Sequence, residues 1–190
     1  QPIPEPQHDA TSICIQTSRS RLSQRPLDKT QHAMADECVA AARPLMVHRP
    51  PLGKMFGKEC RQPRNVAFFS NDSIGYRYSH QWMPSQKLPE PMERLLEHVN
   101  TVFNARFNGI LVNQYVNGLD SIGRHRDDED GLDESAGVVA LTIGAERKFR
   151  IRDNAGKIVV DVPTLPYHFL QMNGEFQKEF THEMAVQKRV

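Results

Sequence analysis

Asn113-Gln-Tyr115-Val-Asn-Gly118-Leu-Asp120-Ser-Ile122-Gly123-Arg-His125-Arg-Asp127-Asp128-Glu129 is the stretch on which the reading of this chain turns. It opens on a β-type run from Ile110 to Tyr115, turns at Gly118, and sets His125 two residues ahead of Asp127. On extended backbone, residues two apart project from one face, so this imidazole and this carboxylate reach a single ion. Two imidazoles and one carboxylate on one face of an octahedron suit iron(II) and leave positions for oxygen and a co-substrate. A second histidine must come from elsewhere. His182, in a strand expected from Glu179 to Met184, is the best candidate and His168 its rival; Arg189, a cation suited to a carboxylate, follows His182 and favours it. His8, His32, His48, His80 and His98 fall in irregular, proline-rich, hairpin-end or helix-surface positions. A bare His-x-Asp pair also occurs in solvated loops, and zinc sites more often gather three His or Cys ligands, so the rest of the chain must decide.

Downstream, short runs punctuated by Gly131, Gly144, Gly156 and Gly174 read as strands: Val138 to Ile143, Lys148 to Arg152, Lys157 to Val162 and His168 to Met172, then Glu179 to Met184. Upstream, Met92, Leu95, Leu96, Val99, Val102 and Phe103 recur at helical spacing after Pro89 and Pro91. A further helix is expected from Asp28, a plausible N-cap, to Met46, with Met34, Cys38, Ala42 and Leu45 on one face. Val66 to Phe69 and Ile74 to Ser79 read as a β-hairpin around Asn71-Asp-Ser73. Lys54 to Arg64 reads as a basic, loop-rich segment. Many short strands behind two helices predict an α+β chain built on a jelly roll with helices packed on one sheet. Residues 1–27, rich in Pro, Ser, Gln and Arg without a period, are expected to form an extended or disordered lead-in to a single domain over 28–190.

A net charge of +1 over 190 residues excludes a generally basic nucleic-acid-binding surface. Contact with nucleic acid must then rest on local patches, for which Lys54, Lys58, Arg61 and Arg64 are the first choice and Arg147, Arg150 and Arg152 a second. Cys14, Cys38 and Cys60 are odd in number and widely spaced, which argues against a disulfide framework and for an intracellular, reducing compartment. There is no apolar run long enough for a membrane span, so no membrane partner is expected; a monomer in the cytoplasm is the simplest expectation.

The pattern as a whole resembles the AlkB family of iron(II)- and 2-oxoglutarate-dependent nucleic-acid dealkylases. The likeness is carried by Asn113 to Glu129, by Phe56-Gly-Lys58, Pro63-Arg64 and Tyr76-Arg-Tyr78-Ser79, by Leu141-Thr-Ile-Gly144-Ala-x-Arg147-x-Phe149, and by Met172-Asn-Gly174 with His182. It implies a distorted double-stranded β-helix with an N-terminal nucleotide-recognition hairpin. It further implies that His125, Asp127 and His182 ligate Fe(II), that Asn113 and Tyr115 hydrogen-bond 2-oxoglutarate, and that Arg189 pairs with its distal carboxylate. Tyr78 would stack on the base opposite His125, Tyr76 would make a polar contact, Asp128 and Glu129 would read an exocyclic amino group, and Lys58 and Arg64 would hold the phosphate backbone. The implied reaction is O2-dependent demethylation of 1-methyladenine or 3-methylcytosine in methylated RNA or single-stranded DNA, with release of succinate and formaldehyde. N6-methyladenine removal from RNA, or a catalytically idle RNA-binding module, are the alternatives. The family motif continues to a second arginine beyond the position of Val190, so a C-terminally truncated domain is expected, and a viral polyprotein is one origin the resemblance allows.

Overall fold

The computed structural model describes residues 10–78 and 81–190. Strands β1 (Ser12–Gln16) and β2 (Ser20–Pro26) lead into α1 (His32–Ala42), then β3 (Pro51–Met55), β4 (Lys58–Arg61), β5 (Asn65–Ser70), β6 (Gly75–Tyr78), β7 (Gln81–Pro84) and α2 (Glu90–Val102). The remainder is β8 (Gly109–Gln114), β9 (Ile122–His125), β10 (Val138–Thr142), β11 (Lys148–Asp153), β12 (Ile158–Pro163), β13 (His168–Gly174), the single turn α3 (Phe176–Glu179) and β14 (Phe180–Met184). Two four-stranded sheets, ordered β1-β2-β13-β10 and β12-β11-β14-β9, are antiparallel throughout.

Alternation along the strands explains why these sheets pack as they do. Leu22, Leu170 and Met172 from the first sheet meet Phe149, Ile151, Val162 and Met184 from the second in one buried cluster. The intervening residues of the first sheet point outward to the helices: Phe169 packs with Leu27 and Ala35, and Val139 and Leu141 join the same layer. Two antiparallel sheets with a shared core and helices on one outer face agree with the expected jelly roll. Among the described residues, no helix is long and apolar enough to cross a membrane.

Both expected helices form. In α2, Met92 and Leu95 are buried, Glu90 and Glu93 sit at the positive end of the helix dipole, and Arg94 pairs with Glu90 one turn away. The first helix is shorter than the spacing predicted. Lys29–Gln31 and Arg43–Leu45 are 3-10 turns flanking α1, the first capped by Asp28, whose carboxylate accepts from the Thr30 N–H at 2.9 Å.

Three expectations need correction. Residues 12–26 are not a lead-in: β2 pairs with β13 along its whole length, from His168 opposite Pro26 to Gly174 opposite Ser20. The strand escapes a hydropathy reading because its buried residues include Ser20, Ser23 and Gln24; Gln24 reaches across the core and donates to the Pro163 carbonyl at 2.7 Å. The earlier part of that segment, residues 1–9, lies outside the described residues, as do Ser79 and His80.

The second correction concerns the hairpin. β5 does not pair with β6 but with β8, Asn65 opposite Gln114 through Ser70 opposite Gly109, whereas β6 pairs with β7. Val66, Ala67, Phe68 and Phe69 are all buried, so β5 needs cover on both faces, which the half-exposed β6 cannot supply. Third, the basic segment beginning at Lys54 is not a loop. It belongs to the β3–β4 hairpin, turning at Phe56 and Gly57, both with positive φ, as a two-residue turn matched to strand twist requires.

Candidate metal centre and substrate pocket

β9 and β14 are antiparallel neighbours, and their register sets His182 directly opposite His125. The two rings lie 4.3 Å apart, centroid to centroid. Asp127, two residues beyond His125, brings its carboxylate to 3.5 Å from His125 Nε2 and 3.2 Å from His182 Nε2. One ligand atom from each residue lies within 4.8 Å of the others, so three donors converge on a space the size of one cation. The rival His168 is elsewhere; its Nδ1 faces the Pro166 carbonyl.

The surroundings hold this geometry. His125 Nδ1 sits 2.8 Å from the Gly123 carbonyl, an acceptor, which places a proton on Nδ1 and turns Nε2 toward Asp127. Phe149 lies 5.1 Å from the buried His182 ring, with Phe176 behind it. The backbone N–H of Asp127 donates to Gln177 Oε1 at 2.9 Å, so the turn α3 fixes the residue that bridges both histidines.

At Asp127 and His182 the electrostatics favour a cation. Burial alone would raise the Asp127 carboxyl, but hydrogen bonds from His125 and His182 outweigh it and hold the group well below the usual carboxylate range. Burial disfavours charge on both imidazoles. At His125 burial is the largest influence, but the Asp127 hydrogen bond, the Asp127 charge and the Gly123 carbonyl together outweigh it and lift the pKa, whereas the more deeply enclosed His182 is held down. An ionised carboxylate and a neutral imidazole are the forms that bind metal, so Asp127 and His182 are biased toward binding while at His125 a metal competes with a proton. Chemically, the set fits iron(II).

The residues expected around the metal divide into those that the fold brings together and those it does not. Asn113, at the end of β8, accepts from Arg64 Nε at 2.7 Å, and Arg64 lies 5.3 Å over the Tyr78 ring. Tyr78 in turn meets His125 edge-on at 6.0 Å. Burial pushes the Tyr115 phenol up to about 12 despite nearby Arg64 and Arg147, which keeps it a neutral donor. Burial, reinforced by the neighbouring Glu129 and Asp127 carboxylates, likewise raises Tyr76. Glu129 retains one buried oxygen, Oε2, with no partner among the described residues. Asp128 and Lys58 are exposed, the latter on β4.

Three arginine assignments change. Arg64 is only 3% exposed, so it is part of the pocket wall and not a phosphate contact beside Lys54, Lys58 and Arg61. Arg147 does not share a face with Arg150 and Arg152: it is buried, stands 5.6 Å over the Tyr115 ring, and donates to the Asp120 and Ala185 carbonyls at 2.9 and 2.8 Å. Arg150 and Arg152 do lie together, but paired with Asp161 and Glu183 at 2.7 and 2.9 Å, which removes them as an open cationic track. Arg189 is exposed in the segment after β14.

Sequence reasoning missed Gln177, Arg147 and Asp120 as supports of the site. Asp120, 1% exposed, ties the loop between β8 and β9 by accepting from Arg49 at 2.7 Å and from the Val116 N–H at 2.8 Å. Its place inside the opening motif was the available signal.

A family model described as the 2OG-Fe(II) oxygenase superfamily matches residues 19–189. Curated relatives include the DNA oxidative demethylase ALKBH2 of Homo sapiens, 32% identical over 145 residues, or 72% of this chain and 56% of that protein. The Mus musculus protein of the same name is 31% identical over 72% of this chain and 61% of its own length. Alpha-ketoglutarate-dependent dioxygenase alkB homolog 3 of Homo sapiens is 28% identical over 65% of the chain and 46% of its own length. The chain therefore spans between roughly half and three fifths of these relatives.

Proposed function

Because the chain belongs to the 2OG-Fe(II) oxygenase superfamily and, within it, to the AlkB family, we propose that it oxidatively demethylates N-alkylated bases of nucleic acid. The observation that carries this is the convergence of His125, Asp127 and His182 on one cation-sized space, on a fold we take to be a distorted double-stranded β-helix. Iron(II) held by these residues, with 2-oxoglutarate, supplies the oxidation of an N-methyl group by O2, giving succinate, carbon dioxide and formaldehyde.

The protein's own task is to bind, orient and exclude water. Asn113 and Tyr115 offer neutral polar atoms to the co-substrate beside the metal, and Arg189 the cation for its distal carboxylate, since a dicarboxylate leaving water needs both. Arg64, bonded to Asn113 and stacked on Tyr78, is a positioning residue that couples the co-substrate wall to the base wall. Tyr78, which meets His125 edge-on, offers its ring face to a flat base beside the metal centre, with Tyr76 and Glu129 at the base edge. The free Oε2 of Glu129 is an acceptor suited to an exocyclic amino group, and Asp128 adds negative charge that favours a cationic methylated base. A base inside a duplex cannot reach these groups, so the substrate is single-stranded or flipped. The β3–β4 hairpin presents Met55 and the fully exposed Phe56 between Lys54 and Lys58, an apolar tip with cations for the adjoining phosphates. The unpaired cysteines fit a reducing compartment.

The test is a product assay with iron(II), 2-oxoglutarate and matched RNA and DNA oligonucleotides carrying 1-methyladenine, 3-methylcytosine or N6-methyladenine. Succinate and formaldehyde should appear together from at least one of them and vanish in His125→Ala and Asp127→Ala. Binding of RNA without either product would contradict the proposal and support an idle binding module.

A further inference from the structure

The β6–β7 hairpin has two faces, and the groups assigned to the target base lie on one. Tyr76 and Tyr78, with their partners Met83 and Gln81, alternate inward, as their partial burial shows. Arg77 and Trp82 are a directly opposed cross-strand pair on the other face, both exposed, with Trp82 at 53%. An exposed tryptophan on a short hairpin costs solubility and gains no core packing, which makes it a feature to explain.

The Trp82 ring is not loose. It lies against the backbone of Gly75: a Cβ built on Gly75 would come within 2.4 Å of Trp82 Cζ2 and 2.6 Å of Cε2. The glycine thus provides a bed for one side of the indole, leaving the rest of the side chain open. A supported, half-exposed indole beside an exposed guanidinium has the make-up of a platform for one nucleobase, with a cation for its phosphate. Charge supports the same occupant, because Lys54 and Lys58 are exposed on the β3–β4 hairpin, which packs beside β7.

We propose that Trp82, with Arg77, stacks an unpaired base of the strand that flanks the target base, so that the outer face of this hairpin selects single-stranded nucleic acid. The proposal rests on the nucleic-acid reading above and adds a contact at the rim of the pocket, beyond the residues assigned to the target base. A base paired within a duplex has both faces stacked on its neighbours and offers none to the indole, so discrimination by strand state follows from geometry.

Trp82 is the single tryptophan of the chain, so its fluorescence reports the contact directly. The experiment titrates the full chain with an unmethylated, end-labelled single-stranded oligonucleotide and with a closed hairpin duplex of the same sequence. Label anisotropy follows binding and indole emission follows stacking. The single strand is expected to quench Trp82 on binding. Trp82→Ala should weaken that binding roughly 5-fold or more while changing duplex binding little, and Trp82→Phe should restore most of the loss. Single-strand binding with unaltered emission, equal binding by Trp82→Ala, or no binding of the single strand would each overturn the proposal. Turnover is not needed for any of these outcomes, so a failure of the demethylase reading, seen as absent formaldehyde, is separately visible.

Discussion

Gln177 holds Asp127 by the main chain, leaving both carboxylate oxygens free to face the histidines. Without that acceptor the Asp127 backbone gains freedom, and the cost appears in metal affinity more than in folding. Gln177→Ala should weaken iron(II) binding by about 10-fold, the usual scale for residues that orient metal ligands, with little change in thermal midpoint. Anaerobic metal titration alongside a melting curve checks both halves, and an unchanged affinity would remove Gln177 from the site. At this scale the sequence was informative where chemistry is local. His125 ends β9 and Asp127 lies two residues on, in the bend that follows, so their pairing could be read from the spacing. Arg64 and Arg147 could not be placed, since a run of basic residues looks the same whether a guanidinium faces water or lies on a tyrosine ring.

Strands with apolar runs were legible as elements, and those with polar burial were not. β13 shows Phe169, Leu170 and Met172, whereas β2 buries Ser20, Ser23 and Gln24 beside Leu22. Pairing was less legible than existence, as the partners of β5 and β6 show, because adjacency in sequence favours a hairpin until burial on both faces of β5 excludes it. The place of β2 in the core has a direct consequence. Leu22 is fully buried against the second sheet, so Leu22→Ala should destabilise the protein by about 2 to 5 kcal/mol. Urea unfolding measures this, and a loss below about 0.5 kcal/mol, the level of a surface change, would mean that residues 12–26 are the loose lead-in their composition suggests.

Across the molecule, the two sheets and the helix layer divide the work. The helices cover the first sheet through Phe169, Val139 and Leu141, while the second sheet supplies both histidines from neighbouring strands. The hairpins β3–β4 and β6–β7 carry the face we propose for nucleic acid. This arrangement makes the metal site a property of the assembled sheet, since His125 and His182 are far apart in sequence and meet only through the β9–β14 register. The most direct test is therefore the iron stoichiometry of the full chain under anaerobic conditions, measured for the wild type, Asp127→Ala and His182→Ala. The wild type should take up one iron(II) per chain and each variant should lose stoichiometric binding while keeping its fold by circular dichroism; folded variants that still bind one iron with wild-type affinity would contradict the account.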